Sequence, residues 1–360
     1  MRILLATESF YPAVDSTTTT LKATVDRLVD LGHAMRIVAP GPGLASYRGC
    51  DVVRVRPLEP TGAQVREAIE SFAPDVVQVH SPRNVGRKAL KHARRLGVAT
   101  VAVEQSPVLD LAADYWRARI AERADRVLVT SPWMVGRAAE LGVEARLWEP
   151  GVDTRAFTPT LRDPWLHGSW SRAHAKDGGQ VVVGYVGGLH RAAGVRRLAD
   201  LTRVPGIRLV VIGAGPEQPW LARRLPTARF TGPLSIGDLT VALPTLDVLV
   251  HPGEHETDCH ALREAGASGV PVVAPRAGGA RDVVDHLATG VLHDPADPRD
   301  LVRAVAGVAA DQRRHLMGAA ARERALRRTW ADAVDELVAR HLPRSAPSAQ
   351  SSAATRSGAE

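Results

Sequence analysis

The chain has 360 residues, with 46 Lys plus Arg against 39 Asp plus Glu and a formal charge of +7. An apolar share of 45% and a charged share of 24% are ordinary for a globular protein; they exclude disorder for the bulk of the chain, collagen and coiled coil, and the length suggests about two domains. Two cysteines, Cys50 and Cys259, can build neither a disulfide framework nor a four-ligand zinc site, a usage that fits a reducing cytosol.

No run of about 18 apolar residues is present, so no transmembrane helix is expected. The opening MRILLATESF has an apolar stretch of about five residues, short of the ~7–15 of a secretory signal core, and reads as a first buried strand. The sequence pI near 10.0 invites a nucleic-acid reading. With only 4% aromatic residues and no recognition-helix, RRM or zinc-finger pattern, no nucleic-acid partner is expected.

From the N-terminus, the strand-like runs are RILLAT, AMRIVAP, DVVRVRP, DVVQVH, VATVAVE and RVLVTS, then QVVVGYVG, IRLVVIGA, ARFTG, DVLVHP and PVVAP. Short continuous Val/Ile/Leu runs separated by amphipathic Ala/Arg/Leu-rich segments predict parallel strands covered on both faces, an α/β doubly wound architecture. After DVVQVH, Arg83, Arg87, Lys91 and Arg95 recur along one face of a helix. A solvated face is the plain reading, and contact with an anionic membrane surface the sharper one. The beta–alpha pattern restarts near residue 180, past a polar, Pro/Gly-interrupted stretch. The expected division is an N-terminal Rossmann-like domain over 1–160, a connector over 161–179, and a second Rossmann-like domain over 180–342. The two halves would face a cleft, and a Ser/Ala-rich tail, 343–360, is expected to be disordered.

The chemistry concentrates in DVLVHPGEHETDCHALREAGASGVPVVAPRAGGARDVVD. A strand ends in a loop carrying Glu254, Glu256 and Asp258. A helix then starts between Asp258 and His260, carries Glu264 and is broken by Gly269. Acids at the C-terminal edge of a strand in a doubly wound sheet stand where ligands bind. Carboxylates accept paired hydrogen bonds from vicinal hydroxyls, and N–H groups at a helix start suit a diphosphate. The plainer reading makes Asp258 an N-cap with acidic neighbours favouring the helix dipole. His251 and His255 flank the loop without a ligand set for a metal, and Cys259 lacks the partners of a thiolate nucleophile.

The stretch HETDCHALREAGASGVPVVAPRAGG resembles the donor-site signature of retaining family-4 glycosyltransferases, a Glu, seven residues, then a Glu. MRILLATESFYP, RLVDLGHAMRIVAPGP, FAPDVVQVHSP, ADRVLVTSPWM, EPGVDTRAFTP, GYVGGLHRAAGV and LVVIGAGPE are similar to that family's segments in matching order. The likeness is strongest to the actinobacterial GDP-mannose-dependent α-mannosyltransferases. It implies the GT-B fold and transfer of a hexose, mannose favoured, from a nucleotide sugar to a lipid or small-molecule acceptor. The nucleotide sugar is a substrate, and no cofactor or metal is implied.

The resemblance also implies roles. Glu256 would hold the sugar hydroxyls and Glu264 the ribose diol, while Gly187 and Gly188 let the backbone approach the phosphates. Gly213 and Gly215 would form a close loop near the base. Asp258, Cys259 and His260 fall on the donor side, with Gln105 standing where the family's catalytic-region His aligns. Asp15, Ser16 and His80 fall on the acceptor side, although a hydrogen-bonded structural role is the plainer reading of His80. The family's diphosphate cations are an Arg and a Lys. Here Gly188 and Ala193 occupy those positions, and Arg191 is the substitute charge. That loss raises an alternative, a non-catalytic donor- or partner-binding relative. A nucleotide-sugar epimerase has no further residues in its favour, and a dehydrogenase lacks the GxGxxG turn after the first strand. The implied location is the cytoplasm, with peripheral contact at the inner membrane face.

Overall fold

The structure is a computed structural model that describes residues 1–12, 15–108, 110–172 and 179–343. Contacts divide the chain into two compact units, one of Met1–Glu104, Ala112–Leu128 and the segment from Val334, the other of Gln105–Leu111 with Val129–Ala333.

The first sheet is built from β1 (Arg2–Thr7), β2 (Ala34–Pro40), β3 (Ser46–Tyr47), β4 (Cys50–Val55), β5 (Val76–His80), β6 (Ala99–Glu104), β7 (Arg126–Val129) and β8 (Arg146–Leu147). Its order is β3-β4-β2-β1-β5-β6-β7-β8. β1 lies between β2 and β5, all parallel, whereas the short β3 is antiparallel to β4. The second sheet comprises β9 (Val181–Val186), β10 (Ile207–Ile212), β11 (Arg229–Gly232), β12 (Val248–Val250), β13 (Val272–Pro275) and β14 (Gly290–His293). It runs β11-β10-β9-β12-β13-β14, with every pair parallel. This is the doubly wound order that reverses direction between β9 and β12.

The apolar runs are unbroken because both faces are covered. Val182, Val210, Leu249 and Val272 enter one core cluster, while their neighbours Val183, Val211, Val250 and Val273 enter a second. Successive side chains point to opposite faces, so each run must be apolar at every position.

The described part of the expected connector is folded. A 3₁₀ turn, Pro159–Leu161, precedes a helix, Pro164–Ser171, capped by Asp163 Oδ1 on the N–H groups of Trp165 and Leu166. Trp170 joins the core of the second unit, and Arg162 and His167 both reach Asp247. The first half of the expected connector over 161–179 is thus not a free link: an aromatic anchor and a shared carboxylate fix it to the second unit. Residues 344–360, where the disordered tail was expected, lie outside the described residues.

Candidate active site

Four loops follow the C-terminal ends of neighbouring strands in the second unit, after β10, β9, β12 and β13. Glycines let them nest. A Cβ on Gly213 would fall 1.9 Å from Gly187 O, and one on Gly215 would fall 2.4 Å from Leu189 O. Both glycines have positive φ, +139° and +159°. The space they leave is filled by the loop after β9, held by Leu189 N–H to Ala214 O (2.9 Å) and Glu217 N–H to Leu189 O (2.9 Å). Gly278 and Gly279 do the same for the loop after β12: Gly279 N–H donates to Glu256 O at 2.7 Å, and a Cβ on Gly278 would meet Glu254 O at 2.6 Å. The Gly-Gly pair after PVVAP is thus the seat of the Glu256 loop, a signal the sequence carried without an assigned role.

The loops after β9 and β12 flank the point where strand order reverses, which is where ligands bind in open α/β sheets. Gly187 has φ +152° and spends its N–H on Ile212 O, whereas the Gly188 N–H makes no hydrogen bond among the described residues. Gly188 does not adopt the left-handed conformation; the strain falls on its neighbour. Ala193 is buried, with Gly194 at φ +67° pressed against Pro252 O. Arg191 Nε and Arg196 Nε both donate to the Glu217 carboxylate, at 3.0 and 2.7 Å. Chiefly the Arg196 bond, opposed by burial and helped by Arg191, keeps the Glu217 carboxyl below its ordinary value.

Glu256 and Glu264 differ in electrostatics. Burial pushes Glu256 upward, but His251, with Nε2 3.4 Å from Oε1, outweighs it, and His260 and His190 add to the pull. The net effect holds Glu256 below the ordinary carboxylate value. His251 is itself buried against the Tyr185 ring, centroids 6.2 Å apart, and neither of its ring nitrogens has a hydrogen bond. Glu264 is pushed the other way: burial raises it to about 7, and His260 opposes the rise. His260 stands 3.4 Å from Asp258, whose charge overcomes burial and raises the imidazole above its ordinary value.

The helix is His260–Ala267, and its N-cap, Cys259, gives no side-chain cap bond. Asp258 is therefore not the cap that the plainer reading made it. Its Oδ2 accepts from Gln105 Nε2 at 2.8 Å, and its Oδ1 is buried with no partner. Thr257 Oγ1 also donates to Gln105 O, so side chain and backbone of Gln105 are both tied to this loop. Cys259 is buried at φ +53°, and burial drives its thiol well above the ordinary value, which excludes it as a nucleophile. Arg263, not singled out in the sequence, donates from Nε to Asp258 O at 3.1 Å and locks the turn.

The expected acceptor-side residues lie in the first unit. Asp15 caps the helix Ser16–Asp30, accepting from Thr18 N–H at 2.8 Å and Thr18 Oγ1 at 3.0 Å, and Ser16 is that helix's exposed first residue. His80 is fully buried, with Nε2 2.7 Å from Gln78 Nε2. Its strand is buried along its whole length, which favours the plainer, structural reading of His80.

Comparison with known proteins agrees with this geometry. The model for glycosyl transferases group 1 matches residues 168–324, and that for glycosyltransferase family 4 matches 17–156. A GDP-mannose-dependent alpha-mannosyltransferase of Mycolicibacterium smegmatis is 38% identical over 94% of this chain and 96% of its own. One of Corynebacterium glutamicum is 33% identical over 92% and 86%. Among solved structures, Anabaena HepE in complex with UDP superposes with a TM-score of 0.80 at 18% identity, covering 94% of this chain and 98% of that one. That likeness speaks for the fold, two Rossmann-like domains of the GT-B kind. Sequence identity sustained over nearly the whole length of an enzyme speaks for more, and by it this chain belongs to the family-4, group 1 glycosyltransferases.

Proposed function

We propose that the chain transfers mannose from GDP-mannose, with retention of configuration, to a lipid or small-molecule acceptor. The carrying observation is the position of Glu256 and of the Gly187–Gly188 loop on the two sides of the β9/β12 switch point. The relatives from Mycolicibacterium smegmatis, Corynebacterium glutamicum and Mycobacterium tuberculosis, each a GDP-mannose-dependent alpha-mannosyltransferase, support the donor.

In this reading Glu256, kept anionic by His251, accepts hydrogen bonds from the sugar hydroxyls, and Glu264 accepts from the ribose diol. The free Gly188 N–H and Arg191 face the diphosphate. The bond from the anomeric carbon to the phosphate oxygen breaks, the bond to the acceptor oxygen forms, and the acceptor proton passes to the departing phosphate. No protein base and no cofactor enter. Asp15 and Ser16 belong to the acceptor side. Among the described residues no helix is long and apolar enough to cross a membrane. Arg83, expected on the cationic helix, precedes its first residue, Val85, and donates its N–H to Glu8 Oε1 at 3.0 Å; the remaining Arg87, Lys91 and Arg95 support peripheral contact with the inner face of the cytoplasmic membrane.

The test is sugar release and transfer from GDP-mannose, GDP-glucose and UDP-glucose, with calorimetric titration of GDP. Glu256→Ala is expected to lower turnover by about 10²-fold at nearly unchanged GDP affinity. Glu264→Ala is expected to weaken GDP itself. Equal GDP affinity in wild type and Glu264→Ala would remove the ribose assignment, and preference for UDP-glucose would remove the donor.

A further inference from the structure

The cationic helix proposed above for membrane contact carries a narrower feature in the first unit, which deepens that membrane reading and does not rest on the donor-site reading. The helix Val85–Arg95 packs against the 3₁₀ turn Ala121–Arg123, and Arg94 Nη1 donates to Glu122 O at 2.7 Å to pin them together. Along this seam Arg87 and Lys91, one helical turn apart, share a neighbourhood with Arg123 and with Arg119, the last residue of the helix Ala113–Arg119.

Arg54, Arg126 and Arg322 each reach three backbone carbonyls. Arg87 Nε and Arg123 Nη1, by contrast, are buried with no acceptor; elsewhere Arg36 and Arg208 also leave a buried Nε without an acceptor. Among the described residues none of the four side chains has an ion pair or hydrogen bond. The charges around them have the same sign. Arg123 is depressed first by burial, then by Arg119, Arg87 and Arg94, with only the Tyr115 ring opposing; Lys91 is depressed first by Arg95, then by burial and by Lys88, Arg123 and Arg87. Buried guanidinium donors left unsatisfied amid like charges cost stability. An oxyanion placed on the seam would accept from both orphan N–H groups and relieve the repulsion at once, in the forked geometry that guanidinium groups offer phosphate.

We propose that Arg87, Lys91, Arg119 and Arg123 form an oxyanion site that takes a phosphate group, carried by a soluble phosphate or by an anionic lipid headgroup. The site is separate from the donor site, whose residues all lie in the other unit.

The test uses the full chain with inorganic phosphate, and separately with phosphatidylcholine vesicles with and without phosphatidic acid. Phosphate is expected to raise the melting temperature of wild type, and Arg87→Gln with Arg123→Gln to weaken that response about tenfold while GDP affinity stays at its wild-type value. Without phosphate, Arg123→Leu is expected to melt higher than wild type, an outcome that a purely structural arginine would reverse. Sedimentation with phosphatidic acid vesicles, lost in the double variant, assigns the headgroup; a response to free phosphate alone assigns the soluble anion. Should the double variant fail to fold, Lys91→Gln, which changes a partly exposed side chain, is expected to shift both readouts the same way. Equal responses of wild type and variants to phosphate and to both vesicles would overturn the proposal.

Discussion

Gln105 Nε2 donates to Asp258 Oδ2 at 2.8 Å across 153 positions of sequence, and both residues are buried. That bond, with Thr257 Oγ1 on Gln105 O, brings the segment after β6 to the loop that carries Glu256. Asp258 Oδ1 is already without a partner. Gln105→Leu should therefore leave the whole carboxylate poorly satisfied and cost about 1–3 kcal/mol. Asp258→Leu added to it should cost less than the sum of the single changes, because the unsatisfied carboxylate is then gone. Urea unfolding of the four proteins checks this, and additive costs would show that the pair does not act as one.

The raised Glu264 carboxyl has a pH signature. Its folded value, about 7, lies above the ordinary 4.5. Below 4.5 both folded and unfolded chains hold the proton, and the group is silent. As pH rises from 4.5 to 7 the unfolded chain loses its proton while the folded one keeps it, so stability falls across that window. Glu264→Gln removes the loss. It should melt level with wild type near pH 4 and above it at pH 8, by roughly 2–4 °C for each kcal/mol relieved. A difference independent of pH would contradict the burial argument.

Nucleotide binding should draw on the same proton. A ribose diol donates to carboxylate oxygens and so favours the ionised form of Glu264. GDP binding at pH 7 is then expected to release a proton, making the calorimetric heat depend on the ionisation enthalpy of the buffer. The dependence should shrink in Glu264→Gln. Identical buffer dependence in the two proteins would place the proton elsewhere.

The eleven strand-like runs of the sequence all became strands, most of them short, rich in Val, Ile and Leu and buried, although β4 and β11 are partly exposed. The two-residue β3 and β8 are too short for periodicity to register, and the four-residue β14, GVLH, opens on a glycine and holds only two apolar residues. Of the site, the two acids and the glycine loops could be read, because spacing and chain order carry them. The electrostatics could not. That His251 sits on Glu256, that Asp258 turns to Gln105 instead of capping its helix, and that Glu217 gathers two arginines all depend on contacts between distant segments or on loop direction.

The two positions that lack the family's cations are unequal in the structure. An added Cβ at Gly188 would meet only the His190 ring, at 3.0–3.2 Å, and the backbone is not left-handed there. Gly188→Arg should therefore fold with a melting temperature within about 2 °C of wild type and bind GDP about tenfold more tightly, the value of one charge-assisted bond. Ala193 is 5% exposed, so a lysine must carry its charge out of a packed site. Ala193→Lys should lower stability by about 1–3 kcal/mol and gain little affinity. Thermal melts and GDP titration of the two single variants separate these outcomes; equal gains from both would mean that the 191–194 turn rearranges.

Arg191 remains as the cation in the turn that follows the Gly188 loop, Arg191–Ala193. Its side chain is 73% exposed while paired with Glu217, and an exposed pair of this kind contributes about 0–1 kcal/mol. Arg191 can thus exchange the carboxylate for a diphosphate at little cost, since Arg196 stays on Glu217 and against the Trp220 ring, 4.8 Å from its centroid. Arg191→Ala should weaken GDP binding about tenfold with stability changed by less than about 0.5 kcal/mol. Arg196→Ala should do the opposite, destabilising the unit while moving GDP affinity little. The loss from Arg191→Ala should also be smaller in the Gly188→Arg background, where a second guanidinium shares the anion. Were Arg191→Ala to bind GDP as wild type does, the diphosphate would have to rest on backbone N–H groups and histidines alone, and affinity would then fall steeply as pH rises past the ordinary His range, which the same titrations at pH 6 and pH 8 would detect.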